Sequence, residues 1–119
     1  MGLDVYLMVT KPVSVYDDNI THNLGEMARN VILNDDKVDE TELNLYDVLW
    51  RPDEQDFRYA CEIVEYLHTG WRKLFANPEK YKQYNPENGW GSYEGLLEFV
   101  KKYHEACLEN PDAELRVSR

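Results

Sequence analysis

The most demanding pattern in this sequence is a stripe of apolar residues, Phe57, Ala60, Cys61, Val64, Leu67, Trp71 and Leu74. The stripe holds helical spacing for about five turns. It commits the chain to a helix with one buried side, so the rest of the fold must supply a surface to cover that side. Pro52 suits a first turn and Asn77-Pro78 stops the pattern, so the spacing predicts a helix over 53–76. Gly70 lies inside it at a cost of about 1 kcal/mol relative to Ala, which implies a closely packed neighbour or a bend. A second stripe, Tyr93, Leu96, Leu97, Val100, Tyr103, Cys107 and Leu108, predicts a helix over 92–109. Ser92 is its cap and Asn110-Pro111 its stop.

The two ends of the chain read differently. Leu3, Val5, Leu7 and Val9 alternate with Asp4, Tyr6, Met8 and Thr10, the period of a half-buried strand, and Lys11-Pro12 ends the run. Ala113, Leu115 and Val117 alternate in the same way with Glu114 and Arg116. Lone strands are unstable, so these two are expected to pair and to carry the helices on their apolar face. Between them, Ile20, Leu24, Met27, Ala28 and Val31 predict a helix over 20–31, capped by Asn19 or Thr21. Asp39 and Glu42 have the form of a capping box opening a helix over 41–50, and Pro78 to Tyr84 suits one or two turns. The expected fold is a single α+β domain over 1–119, mostly helical, with two paired terminal strands and about four helices.

Charge narrows the function classes. The net charge is −10, which disfavours direct nucleic-acid binding, because a reader of phosphates needs clustered Lys and Arg. The excess is local: Asp35 to Asp56 holds nine acidic residues against Lys37 and Arg51. Such a run fits a basic protein partner or mimicry of DNA, and it equally fits a solvated face with acids in first helical turns. It lacks the calcium loop of an EF-hand. No apolar run reaches the ~20 residues of a membrane span, and there is no basic-then-apolar leader, so the expected location is cytoplasmic. Nine Tyr, three Trp and three Phe argue against a disordered chain.

Fingerprints of serine hydrolases, P-loops and dinucleotide sites are absent, and no cofactor is expected. His22, His68 and His104 are isolated in sequence, without metal-ligand spacing. Cys61 and Cys107 fall on apolar stripes, where reduced cysteines act as small hydrophobes. What is left is a polar and aromatic set at predicted element ends: Thr21-His22-Asn23, Trp50-Arg51, and Asn88 to Tyr93 with Trp90 and two glycines. Planar rings beside amides and a guanidinium can stack a base, read its edges and hold an oxyanion. Core packing of the rings and an ordinary Asn-Gly turn are the competing explanation.

The same residues carry a resemblance. Ile20-Thr21-x-Asn23-Leu24, Leu49-Trp50-Arg51-Pro52, Asn85-Pro86-x-Asn88-Gly89-Trp90-Gly91-x-Tyr93-Glu94 and Ser118-Arg119 resemble a group of small uncharacterised proteins from bacteriophages and bacteria. The resemblance spans nearly the whole chain and implies a phage or bacterial origin, with no catalytic residues assigned. The acidic insert around Asp35 to Glu42 is longer here than in that group.

Together these features favour a non-enzymatic binder of a small nucleotide-like ligand, used to sequester a host signal. Trp50, Trp90 or Tyr93 would stack the ring, Arg51 would pair with the anion, Asn23 and Asn88 would read edges, and Thr21 and His22 would serve the helix end. A pocket in so short a chain is expected to form between subunits of a homo-oligomer. The alternatives are an acidic protein-binding inhibitor or DNA mimic, and a small hydrolase using His22 or a carboxylate as base.

Overall fold

The computed structural model describes residues 2–10, 13–34 and 41–119. Three antiparallel strands form one sheet: β1 (Gly2–Thr10), β2 (Val13–Thr21) and β3 (Glu114–Ser118), in the order β2-β1-β3. The two ends of the chain do pair, with Val5 opposite Val117 and Leu7 opposite Leu115. Leu3, Val5 and Leu7 are fully buried, and Asp4, Tyr6 and Met8 lie half-buried on the opposite face. The alternation of β1 therefore faces the way its sequence indicates.

The third strand is a correction. Ile20 and Thr21, expected at a helix start, end β2 instead, with Ile20 opposite Leu3. The phase of β2 is broken by a slip in pairing: Leu7 faces Tyr16 and Met8 faces Ser14, which leaves Val15 without a partner. Val9 is skipped in the same way, and both valines are exposed. Asp18 sits between Tyr16 and Ile20, where its carboxylate accepts the Tyr16 hydroxyl at 3.1 Å. That bond offsets the cost of a carboxylate on the core-facing row.

Two long helices pack together, the second of them against β2. α3 (Ala60–Ala76) and α5 (Tyr93–Glu109) run antiparallel. The Cys61 amide meets the Pro111 carbonyl at one end, and the Tyr93 hydroxyl meets the Leu74 carbonyl at the other. Ser92 caps α5 by accepting from the Gly95 amide at 3.1 Å. The helix expected over 53–76 starts later, because Pro52–Gln55 forms only a 3-10 turn and Asp56 then adopts φ 62°. That left-handed residue breaks the helix, and the Glu62 carboxylate restarts it by accepting from the Arg58 and Tyr59 amides. At Gly70 the packed neighbour is present: a Cβ would stand 3.0 Å from Leu45 Cδ1 and 3.4 Å from Leu33 Cδ2.

The short helices are α1 (Gly25–Arg29), α2 (Leu45–Trp50) and α4 (Pro78–Lys82). Residues 22–24 form a 3-10 turn, so the helix expected over 20–31 shrinks to α1. The capping box of α2 is Asn44 with Asp47, three residues inside the expected start. Asp39 lies outside the described residues. Asn34 is buried and joins the two sides of that segment, donating to the Thr41 carbonyl and accepting from the Leu43 amide, each at 2.8 Å. Cys61 is exposed, contrary to its placement on the apolar stripe, because the buried row of α3 runs through Ala60, Ile63 and Leu67. Leu108 is exposed as well.

Candidate functional site

Thr21 ends β2 and begins the 3-10 turn, its hydroxyl accepting from the Asn23 amide at 3.3 Å. This local bond turns His22 and Asn23 outward, and both are exposed. The loop before α5 is built by two asparagines. Asn85 accepts from the Tyr93 amide at 2.8 Å, and Asn88 accepts from the Trp90 amide at 2.9 Å, an Asx turn. Gly89 and Gly91 take φ values of 76° and 111°, a region that disfavours side chains. A Cβ on Gly91 would stand 2.7 Å from Thr21 Cγ2 and 3.0 Å from Leu24 Cγ. The loop therefore seats directly on the turn, through Gly91 against Thr21 and Leu24. Trp90 is 71% exposed.

His22 also meets α2, its ring lying edge-on to Trp50 with centroids 6.0 Å apart. Tyr46 stacks on Trp50 at 5.1 Å, and the Arg29 guanidinium covers Tyr46 at 3.9 Å. Trp50 is 1% exposed and Tyr93 is 4% exposed. The roles expected for these two rings are corrected on that ground: both are core members, with no face open to a ligand. Tyr93 spends its hydroxyl on the Leu74 carbonyl, and burial raises its pKa.

Arg51 is half-exposed and already paired with Glu54 at 3.0 Å. Tyr46 and then Glu54 hold its guanidinium firmly charged. Arg119, outside the expected site set, is engaged here. Its guanidinium donates to the Trp50 carbonyl at 3.2 Å and grips the Asp53 carboxylate. No spacing signal could have found it, because its partners lie at the other side of the chain. Of the acidic run, Asp35, Asp36, Asp39 and Glu40 lie outside the described residues. Asp47, Asp53 and Glu54 are engaged internally, in a cap and in the arginine pairs.

The set divides accordingly. Gly91 meets Thr21 and Leu24, one residue from the exposed Trp90; the exposed His22 meets the buried Trp50, which Arg51 follows in sequence; and Tyr93 is buried in the core. Among the described residues no three His, Cys, Asp or Glu side chains cluster to hold a metal, and no helix is long and apolar enough to cross a membrane. No protein-family model, curated protein or solved structure matches the chain.

Proposed function

We propose that this protein is a non-enzymatic binder of a small nucleotide-like ligand, held on the surface shared by the Trp90 loop and the His22 turn. The observation that carries this reading is the exposed Trp90 indole on a loop fixed by the contact of Gly91 with Thr21 and Leu24. Leaving so large an apolar ring in water forgoes its burial energy, and a ring presented on a pre-seated loop stacks a ligand with little ordering cost. Asn23, Asn88 and His22 supply the polar contacts, and Arg51 attracts the anion from beside Trp50. Sequestration of a host signal by a phage or bacterial protein fits a site that holds without reacting.

A thermal-shift screen against mononucleotides and cyclic nucleotides tests the reading. A ligand at 100 times its dissociation constant adds about 2.7 kcal/mol of stability. Trp90→Ala abolishes the shift for a genuine hit while the far-UV spectrum stays unchanged. A screen without a hit, or a hit indifferent to Trp90→Ala, rejects the proposal.

A further inference from the structure

The antiparallel run of α3 and α5 places His68 of one helix beside His104 of the other. Their ring centroids are 5.3 Å apart and the planes are tilted by 32°. The two residues are distant in sequence, so no motif search brings them together. His68 is exposed and His104 is half-buried. Among the described residues neither imidazole has a hydrogen-bonding partner, so the ring nitrogens are left to solvent.

The separation has a specific chemical meaning. Two imidazoles that share one metal ion, each at about 2.1 Å and at a tetrahedral angle, have ring centres about 5 Å apart. We propose that His68 and His104 form an interhelical bis-imidazole site for a divalent transition metal: copper(II), nickel(II) or zinc(II). Among the described residues no third His, Cys, Asp or Glu completes the set, so the remaining positions are open to water or to an external ligand. Burial, and then the neighbouring His68, lower the pKa of His104, against an opposing pull from Glu105. That direction favours the neutral imidazole, the form whose lone pair binds a metal. A bound ion would strap α3 to α5, the helix that packs against β2.

The full chain, stripped of metal, is titrated separately with copper(II), nickel(II), zinc(II) and magnesium(II) chloride while its melting temperature and tryptophan fluorescence are followed. One equivalent is expected to bind, with copper tightest and magnesium without effect, since imidazole ligands favour the later transition metals. Copper also quenches fluorescence, because Trp71 lies one turn from His68 on α3. His68→Gln and His104→Gln are each expected to weaken binding at least tenfold. His104→Phe, which keeps a packed ring without nitrogens, does the same and separates ligation from folding. His22→Gln leaves binding unchanged. The proposal is overturned by no shift with any of the three metals, by binding that survives loss of either His68 or His104, or by binding that depends on His22.

Discussion

Arg119 holds Asp53 through two hydrogen bonds, 2.9 and 3.2 Å long, and its Nη1 also reaches the Trp50 carbonyl at 3.2 Å. One side chain thus satisfies a carbonyl at the C-terminal end of α2 and pairs with the 3-10 turn that follows. It fixes the strand end next to β3 against the segment that carries Arg51.

The pair sets a pH dependence. The Arg119 hydrogen bonds are the largest cause holding the Asp53 carboxyl below its ordinary range. A depressed folded pKa gives stability that is present above the unfolded pKa, about 4, and lost as pH falls through the folded value. Asp53 is largely exposed, so solvent screening keeps the contribution under about 1 kcal/mol. Urea unfolding of Asp53→Asn should show that loss at pH 7, with the gap to the unaltered protein narrowing below pH 4 and in about 1 M salt.

Trp50 and Trp90 should respond in opposite ways. Trp50 is packed by Tyr46 and His22, so Trp50→Ala should cost about 3–5 kcal/mol. Trp90→Ala should stay within about 0.5 kcal/mol, as an exposed side chain does. Denaturant midpoints of the two variants check this directly.

The two loop glycines should also separate. Gly89 has open space around it, so Gly89→Ala pays only for its positive φ, about 1 kcal/mol. Gly91→Ala adds a clash with Thr21 and should cost about 2 kcal/mol or more. It should also shift the Trp90 emission by moving the loop, an effect visible in steady-state fluorescence.

The cysteines divide by exposure. Burial pushes the Cys107 thiol up to about 12, whereas Cys61 is exposed. A thiol reagent such as an aromatic disulfide should label Cys61 in the native protein and reach Cys107 only when denaturant is added. Rapid native labelling of Cys107 would show that α5 opens far more readily than its packing implies.

Long-range periodicity made the helix pair and the terminal strands legible. The apolar rows of α3, α5 and β1 are strong because each buries a continuous face. β2 was hidden because the slip at Val15 breaks its alternation, and because Asp17-Asp18-Asn19 has the composition of a turn. The start of α3 was misplaced because Asp56 tolerates a left-handed conformation that its residue type does not announce. For the candidate site, residue type does not give burial: Trp50 and Trp90 look alike in sequence, and only the packing of α2 separates them. Arg119 and the two helix histidines depend wholly on tertiary placement.

Pairing the first strand with the last has a consequence for how the molecule is made. β1 leaves the ribosome early and can zip to β2 as a local hairpin, but its other edge has no partner until β3 is synthesised. Through that interval Leu3, Val5 and Leu7 lack the third strand, and through most of it α5 as well. Closing the sheet is thus the contact with the longest loop to order, and it is the natural candidate for the slow step of folding. Nascent chains halted before Glu114 would expose the open second edge of the central strand to chaperones or to other copies.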